Sequence, residues 1–452
     1  MNIIIAGTGK VGLTLARQLA AENHSVTLID TDSSVLQGAV ERLDVMAVCG
    51  NCASRDVLEQ AGVENADLLI AATNADEVNL LCCMTAHGIS GKLHTIARIR
   101  TPEYAEQVRT MPEVFPLSLT VNPEKRAALE IERLLKYPGF LRRDSFAKGR
   151  MELVELRIDE NSPLRDVKLM DLFSKVKCRV LVCAVLRGGN AASPSGNFVL
   201  RQGDRIFVTA PTDVLAVLLK NLGIMTRRVR RVLICGGGRV SFYLAKLLEK
   251  DNIRVTVIDK DRARCKKLAE LLPQASVVWG DCSSQTLLDS QGLREVDALA
   301  SLTGVDETNM IISLYGAVCG VNQVITKMSR GEKTSIAGSL SLGSIICPKE
   351  LCSNDILRYV RAMGNQTGAA VSVHTIADGQ AEAVEFLVEK GAKYCGVPLK
   401  ELKLRPTVLI AGIAHGAEDE IPSGNSVFHE GDTVVVVTSG RGLLQNFNDI
   451  FA

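Results

Sequence analysis

The sequence lacks an excess of charge of either sign. Its 52 basic and 51 acidic residues leave a formal net charge of +1. Proteins that bind nucleic acids usually carry a strongly basic surface that neutralises phosphates. We therefore expect no nucleic-acid partner, and the same balance provides no polybasic membrane anchor.

Signals for secretion and membrane insertion are also lacking. The N-terminus has no basic stretch before the apolar run IIIA, so we expect no signal peptide. The uncharged run 309–327 contains too many polar residues for a membrane span, which needs about 20 mostly apolar ones. The 13 cysteines are an odd number scattered through apolar runs, which indicates free thiols in a reducing compartment. We expect a soluble, cytoplasmic chain.

Recognisable catalytic and metal-binding patterns are likewise lacking. None of the six histidines belongs to a nucleophile–base arrangement or an H-E-x-x-H motif. Cys49 and Cys52 have zinc-like spacing, but no second Cys/His pair accompanies them, so we interpret them as buried thiols at a turn. The sequence predicts no catalytic residue and no metal site.

The sequence does contain an internal repeat. Gly7 and Asp30 match Gly236 and Asp259 at a constant spacing, and TNADEVN (73–79) matches TGVDETN (303–309). Further along, PSGNFVLRQGD matches PSGNSVFHEGD, so each repeat contains a larger and a smaller part. We predict four domains, alternately larger and smaller: 1–140, 141–226, 227–365 and 366–452.

The larger parts have the pattern of an α/β fold. Short Ile/Val/Leu-rich runs alternate with amphipathic stretches of helical length, which predicts two Rossmann-like doubly wound parallel-sheet domains. Each is followed by a small α+β domain suited to pairing with a like unit or to sensing a ligand. Late helices are predicted at 124–137 and 347–364. They either cover their own sheet or pack against another copy of the domain.

A G-x-G-x-x-G loop follows the first predicted strand. Gly7 permits a tight turn, Gly9 lets a pyrophosphate approach the backbone, and Gly12 lets helix and strand pack closely. Asp30 closes the next strand, where a carboxylate accepts hydrogen bonds from ribose hydroxyls. Because it would repel a 2′-phosphate, NAD(H) is favoured over NADP(H), while ATP and ADP could use the same groups. The alternative is a glycine turn without a ligand.

The second repeat departs from this pattern. Gly236, Gly237, Gly238 and Asp259 are present, but Ser241 replaces the third glycine. Arg239 either pairs with a phosphate or points to solvent. An empty or weak second site is therefore a real alternative.

Residues near the fourth and fifth strands complete the predicted site. Thr73 and Asn74 end the fourth strand, on the sheet edge where ligands bind in open α/β sheets. Arg98 lies in the apolar fifth strand, with Lys327 at the equivalent place in the second repeat. A charge in such a run needs a phosphate or an internal carboxylate as its partner.

With these motifs assembled, the chain resembles a known family. GTGKVG, Asp30, TNADEVN and the small PSG…GD domain are similar to a regulator-of-potassium-conductance (RCK) unit. Two such units in tandem resemble the cytoplasmic NAD-binding subunits of bacterial Trk potassium-uptake systems, over essentially the whole chain. Departures from the pattern are Ser241 and Asn51, where the second repeat has Asp281.

The resemblance implies a regulator and not an enzyme. Such subunits assemble, typically as tetramers, into a ring under a separate membrane protein that conducts potassium, on the inner face of the plasma membrane. NAD(H), ATP or ADP binding controls the gate. The implied binding residues are Gly7, Thr8, Gly9, Lys10, Val11, Gly12, Asp30, Thr73, Asn74 and Arg98, and in the second repeat Gly236, Gly237, Gly238, Arg239, Val240, Asp259, Thr303 and Lys327.

Two other functions stay open at this point. A soluble NAD-dependent oxidoreductase would turn over NADH with a carbonyl substrate, which absorbance would reveal. A binding scaffold with empty glycine loops would show no thermal shift with nucleotides.

Overall fold

The computed structural model describes residues 1–136, 139–223, 229–329, 340, 342–364, 370–416, 418–439, 444 and 446–452. They fall into two units. The first contains Met1–Ala127 and Pro348–Val360, and the second contains Ala128–Cys347 and Arg361–Ala452. Within the described ranges, no helix combines the length and the apolar character needed to cross a bilayer. The four predicted domain boundaries stay predictions.

A six-stranded parallel sheet opens the chain, in the order β3-β2-β1-β4-β5-β6. This order places β1 beside β4, so the loops after these two strands meet at the crevice where doubly wound sheets bind ligands. The strands are β1 (Asn2–Ala6), β2 (Ser25–Asp30), β3 (Met46–Cys49), β4 (Leu68–Ala71), β5 (His94–Arg98) and β6 (Leu119–Val121). The helices are α1 (Lys10–Ala21), α2 (Ser33–Val40), α3 (Arg55–Gln60), α4 (Asp76–Ile89), α5 (Pro102–Thr110) and α6 (Pro123–Lys136).

Continuous apolar runs explain why the inner strands lie in the middle of the sheet. Every residue of β4 and all but the first of β1 are buried, because helices cover both faces. The predicted fold class is confirmed. The sequence indicated five strands, whereas β6 adds a sixth; its three residues are too short to give a clear strand pattern.

The second repeat builds the same sheet, in the order β14-β13-β12-β15-β16-β17. Its strands are β12 (Arg231–Cys235), β13 (Arg254–Asp259), β14 (Ser276–Trp279), β15 (Ala298–Ser301), β16 (Gln323–Lys327) and β17 (Ser344–Ile346). Its helices are α9 (Arg239–Lys250), α10 (Arg262–Leu271), α11 (Gln285–Ser290), α12 (Asp306–Val318) and α13 (Pro348–Met363).

The late helices of the two repeats are exchanged. Residues Pro348–Val360 of α13 belong to the first unit, where the Tyr359 hydroxyl lies 2.9 Å from His94 Nδ1 and Asp355 pairs with Arg126. The C-terminal part of α6 belongs to the second unit, where the Leu134 carbonyl accepts a 2.7 Å hydrogen bond from Gln323 Nε2. The second sequence interpretation, packing against another copy, is therefore realised within one chain.

Each small domain contains a five-stranded antiparallel sheet, in the orders β10-β9-β11-β8-β7 and β18-β19-β22-β20-β21. The first comprises β7 (Arg142–Phe146), β8 (Met151–Arg157), β9 (Leu181–Arg187), β10 (Asn190–Ala192) and β11 (Arg205–Pro211), with α7 (Leu172–Val176) and α8 (Val214–Asn221). The second comprises β18 (Ala370–Ile376), β19 (Ala381–Leu387), β20 (Val408–His415), β21 (Glu418–Glu420) and β22 (Thr433–Ser439).

The two small domains pack against each other within the second unit. Met151, Phe207, Ala411 and Val435 belong to one buried cluster shared by both sheets. The sequence suggested that each small domain either pairs with a like unit or senses a ligand. The first of these, pairing with a like unit, occurs inside the chain.

A buried ion pair joins equivalent positions of the two small domains. Asp144 and His374 occupy the same place in the repeat, and Asp144 Oδ1 lies 3.0 Å from His374 Nδ1. Arg142 adds hydrogen bonds to Asp144 from Nε at 2.6 Å and Nη2 at 3.1 Å. Burial opposes ionisation of Asp144, but the charges of Arg142 and His374 hold its pKa well below its ordinary value.

Candidate nucleotide site

The loop between β1 and α1 has room only for glycine at two positions. Gly7 has φ +97°, and a Cβ there would lie 2.8 Å from the Thr73 backbone nitrogen. A Cβ on Gly12 would lie 1.9 Å from the carbonyl oxygen of Gly7. Both glycines therefore hold helix α1 tightly against the end of β1.

The N-terminus of α1 is open. Gly9 is its N-cap, and no side chain of the described residues caps the helix. Around a Cβ built on Gly9, no described heavy atom lies within 4 Å. The first backbone N–H groups of a helix have no partner inside the helix and favour an anion. Gly9, Lys10 and buried Val11 therefore present a place for a phosphate.

Asp30 is held beside this loop by Thr8. One carboxylate oxygen, Oδ2, accepts hydrogen bonds from the Thr8 backbone nitrogen at 2.6 Å and from its hydroxyl at 2.5 Å. The other, Oδ1, accepts a longer 3.1 Å bond from the Asp32 nitrogen. Burial raises the pKa of Asp30, but these hydrogen bonds outweigh it and keep the pKa below the ordinary value. Asp30 is thus a half-buried, fixed carboxylate at the end of β2.

Hydrogen bonds with two buried polar side chains, Asn79 and Asp76, fix the loop after β4. Asn79 Oδ1 accepts hydrogen bonds from the Thr73 nitrogen at 2.8 Å and hydroxyl at 2.7 Å, and its Nδ2 donates to the Arg98 carbonyl at 2.9 Å. Asp76 accepts from the backbone nitrogens of Arg100 and Thr101, both at 2.8 Å. Sequence reasoning missed these roles, although both residues stand in TNADEVN.

Arg98 faces the crevice from β5. Its Nη2 lies 3.5 Å from Glu124 Oε1, a long contact for an ion pair. Two buried atoms of this pair, Arg98 Nε and Glu124 Oε2, have no hydrogen-bond partner in the described structure. The sequence predicted a phosphate or an internal carboxylate as the partner of Arg98. The carboxylate is that of Glu124, and the Nε of Arg98 can still donate to a ligand atom.

The exchanged helix α13 reaches this part of the first unit. Burial raises the pKa of Cys352 to about 12, with Arg98 acting in the opposite direction and Asp355 and Glu124 in the same direction. Both members of the Arg98–Glu124 pair therefore act electrostatically on the Cys352 thiol. The predicted site in the first repeat is therefore bordered by a helix from the second.

The second repeat repeats the backbone of the loop. Gly236 has φ +101°, and a Cβ there would lie 2.8 Å from the Thr303 nitrogen. Gly238 caps α9, Arg239 is exposed and Val240 is buried, as at the equivalent positions of the first repeat. Asn309 Oδ1 binds the Thr303 nitrogen and hydroxyl, and Lys327 Nζ donates to the Leu302 carbonyl at 3.2 Å.

The acid of the second repeat has different partners. Gly237 stands where Thr8 stands in the first repeat, so Asp259 Oδ2 accepts only a backbone hydrogen bond there, at 2.6 Å. Arg264 Nη1 lies 3.3 Å from the same oxygen, and Leu268 occupies the space beside Gly237. The first repeat has Val35 and Ala39 at these two places. Ser241 donates a short hydrogen bond to the Gly236 carbonyl. A cation and a larger side chain therefore crowd Asp259.

The structure brings together most predicted residues of each loop. Gly7 lies against Thr73 and Gly12, and Thr8 binds Asp30, whereas Asn74 is exposed and its carbonyl accepts from Arg100. Sequence reasoning missed Arg100, which lies beyond the end of β5, and singled out Arg98 inside the strand.

Comparison with known proteins identifies the family. The TrkA-N domain model matches residues 3–114 and 232–348, and the TrkA-C domain model matches 153–223 and 383–451. The chain belongs to the TrkA family. Both domain types occur twice, which agrees with the tandem RCK order expected from the sequence.

Curated relatives match this chain over almost its full length. The Trk system potassium uptake protein TrkA of Vibrio alginolyticus is 30% identical, over 100% of this chain and 98% of the relative. A TrkA homologue of Archaeoglobus fulgidus is 31% identical, over 96% and 97%. These relatives are named as potassium-uptake proteins and not as enzymes, which supports a regulator over the oxidoreductase alternative.

Solved structures share the fold of this TrkA-family chain. The GsuK RCK domain has a TM-score of 0.60 at 17% identity, covering 97% of this chain and 92% of that one. The GsuK channel bound to NAD has a TM-score of 0.59 at 17% identity, covering 97% and 76%. GsuK bound to ADP has a TM-score of 0.50 at 15% identity, covering 80% and 69%.

Proposed function

We propose that this chain is the nucleotide-sensing regulatory subunit of a potassium-uptake system. The observation that carries the proposal is the uncapped N-terminus of α1 beside the ionised, hydrogen-bonded Asp30. This arrangement fits the phosphates and ribose of a nucleotide, and no catalytic group is needed. The relatives' name supplies the link to potassium uptake.

The residues present fit an adenine nucleotide. The backbone amides of Gly9, Lys10 and Val11 would hold phosphate, Asp30 would hold the ribose hydroxyls, and Thr73 and Asn74 would border the ligand. The buried Nε of Arg98 is a donor with unused capacity. Because Asp30 stays ionised, it would repel a 2′-phosphate, which favours NAD(H) over NADP(H). ADP and ATP fit the same groups, and GsuK has been solved bound to NAD and bound to ADP.

The exchanged helix α13 could couple ligand binding in the first repeat to a change of conformation. A ligand that draws Arg98 away from Glu124 alters the surroundings of Cys352, which lies on α13 of the other repeat. A ligand shifts a conformational equilibrium only through its different affinity for the two states. In this proposal, regulation therefore comes from a change around helix α13 of the second repeat when a ligand binds in the first repeat's site.

The assembly and its partner complete the proposal. The chain would form a ring, as a homotetramer, on the inner face of the plasma membrane. A separate potassium-translocating Trk-type membrane subunit would be its partner. The family membership and the relatives' names support this partner.

Removing the ribose-binding acid tests the function. We expect Asp30→Ala to weaken NADH and ADP binding by about tenfold or more, because hydrogen bonds to a charged acceptor contribute about 1.5–3 kcal/mol. Isothermal titration calorimetry on the full chain measures this. Potassium uptake in cells with the same variant should lose its dependence on nucleotide.

The repeat provides a matched control. Asp259→Ala removes the equivalent acid, already paired with Arg264, and should change total nucleotide binding much less. Equal losses in the two variants, or unchanged uptake regulation with Asp30→Ala, would contradict the proposal.

Releasing Asp259 should strengthen the second site. We expect Arg264→Val, which installs the residue of the first repeat, to raise nucleotide affinity there by roughly fivefold, since an exposed pair is worth up to about 1 kcal/mol. Titration in an Asp30→Ala background isolates the second repeat. No gain in affinity would mean that Arg264 does not block the site.

A further inference from the structure

Two histidines and an aspartate converge in the second small domain. His415 ends β20, and His429 and Asp432 lie in the turn that enters β22. His415 Nδ1 lies 2.7 Å, and His429 Nδ1 3.8 Å, from Asp432 Oδ2. One ligand atom from each residue lies within 4.8 Å of the others. These are the donor types that bind divalent transition metals.

A second carboxylate faces the other ring nitrogen of His415. Glu420 ends β21, and its Oε2 lies 3.6 Å from His415 Nε2. The His429 side chain is 60% exposed, whereas that of Asp432 is 9% exposed. The cluster therefore has one fixed member and a solvent-facing side through which an ion can enter.

The first repeat shows what the same backbone does without these donors. Arg187 and Arg201 stand in place of His415 and His429, and Ala192 in place of Glu420. Arg187 forms a fork on Asp204, with Nε at 2.8 Å and Nη2 at 2.7 Å. A guanidinium stays protonated and cannot bind a metal.

The backbone around the two aspartates is conserved between the repeats. The Arg201 nitrogen donates to Asp204 at 2.8 Å, and the His429 nitrogen donates to Asp432 at 2.6 Å. A simple exchange of hydrogen-bond partner explains His415, because it replaces Arg187 on the aspartate. It does not explain why His429 also carries a metal-ligand side chain, since its equivalent Arg201 binds Asp204 through the backbone nitrogen.

We propose that the second small domain binds a divalent transition-metal ion, best matched by Zn²⁺, through His415, His429 and Asp432. Imidazole with carboxylate is a common zinc set. Binding releases any proton held by the imidazoles and draws the donor atoms to about 2.0–2.2 Å from the metal. The ion would tie the β20–β21 hairpin to the turn before β22.

A thiol near the cluster must be controlled for. Burial raises the pKa of the Cys395 thiol, and the carboxylates of Glu430 and Asp432 raise it further. Cys395 is exposed, as is Cys49, and exposed thiols bind zinc on their own. Measurements therefore use the full chain with Cys49→Ser and Cys395→Ser.

Zinc binding by competition with a chromogenic chelator tests the site. We expect the full chain to bind one Zn²⁺ that the His415→Arg/His429→Arg variant does not, and His429→Arg alone to lose at least about tenfold in affinity. The double variant installs the arginines that occupy these two positions in the first repeat, where the Arg187 side chain pairs with Asp204, so it should keep its fold, as circular dichroism checks. Zinc should raise the melting temperature of the parent and not of the variant.

The outcomes separate the proposal from its rivals. A Co²⁺ absorption band lost in the histidine variants supports it. Zinc stoichiometry and affinity that are unchanged in the double variant overturn it, as does binding that vanishes once the two exposed cysteines are replaced. None of these results depends on nucleotide, so the site is tested independently of the proposed regulation.

Discussion

Asp144→Ala should lower the free energy of unfolding by about 3 kcal/mol, which is at the lower end of the cost of breaking a buried ion pair. The carboxylate accepts bonds from Arg142 and His374, and its side chain is 10% exposed. Without it, Arg142 and His374 lose their carboxylate partner between the small domains. The lower end applies because the Arg142 side chain is 37% exposed and donates to the Thr375 carbonyl.

Chemical denaturation followed by circular dichroism measures this loss. Glu106→Ala is the control, since the Glu106 side chain is 60% exposed and pairs at the surface with Arg109. Its expected change lies within about 1 kcal/mol. Equal effects of the two substitutions would show that the Asp144 cluster contributes nothing special.

The pH dependence of the same variant tests the cause. The pKa of folded Asp144 is depressed, so its stabilisation is fully present above the unfolded value of about 3.9. It is lost as pH falls through the folded value. The difference between wild type and Asp144→Ala should therefore be present at neutral pH and shrink below about pH 4. A difference that persists in acid would point to lost packing instead.

Gly7→Ala should reduce nucleotide binding by roughly 5–150-fold. A non-glycine residue at φ +97° costs about 1–3 kcal/mol. Its Cβ would also meet the Thr73 backbone at 2.8 Å and push the loop out of place. Calorimetry with NADH and ADP on the full chain measures the loss.

Gly236→Ala is the matched control, because Gly236 has nearly the same φ and the same close approach to Thr303. Both variants should destabilise their own domain to a similar extent. Only Gly7→Ala should remove most of the nucleotide binding. Equal loss of binding in the two variants would assign equal sites to both repeats.

The glycine loop and its acid were predictable from sequence because their chemistry is local. Gly7, Gly12 and Asp30 stand at fixed distances from two apolar strands, and the structure places them in contact range as expected. Arg264 was not predictable in the same way. It reaches Asp259 only because α10 turns back over the end of β13, and no spacing rule links the two residues.

Long-range partners were beyond the reach of pattern analysis. The motif TNADEVN could not show that Asp76 accepts from the Arg100 and Thr101 nitrogens, because these lie more than 20 residues away in sequence. Likewise, the amphipathic pattern of α13 shows that one face is buried without showing which sheet buries it. The histidines His415 and His429 looked isolated because a strand and a hairpin separate them in sequence.

The exchanged helices have a consequence for how such a chain could arise. A single ancestral repeat would have needed a second identical molecule to receive its last helix, so it would have worked only as a pair. Joining two such repeats end to end would make each half the permanent partner of the other. Equivalent positions were then free to become different, as Asp144 and His374 have done, and one half could keep a sensing role while the other changed.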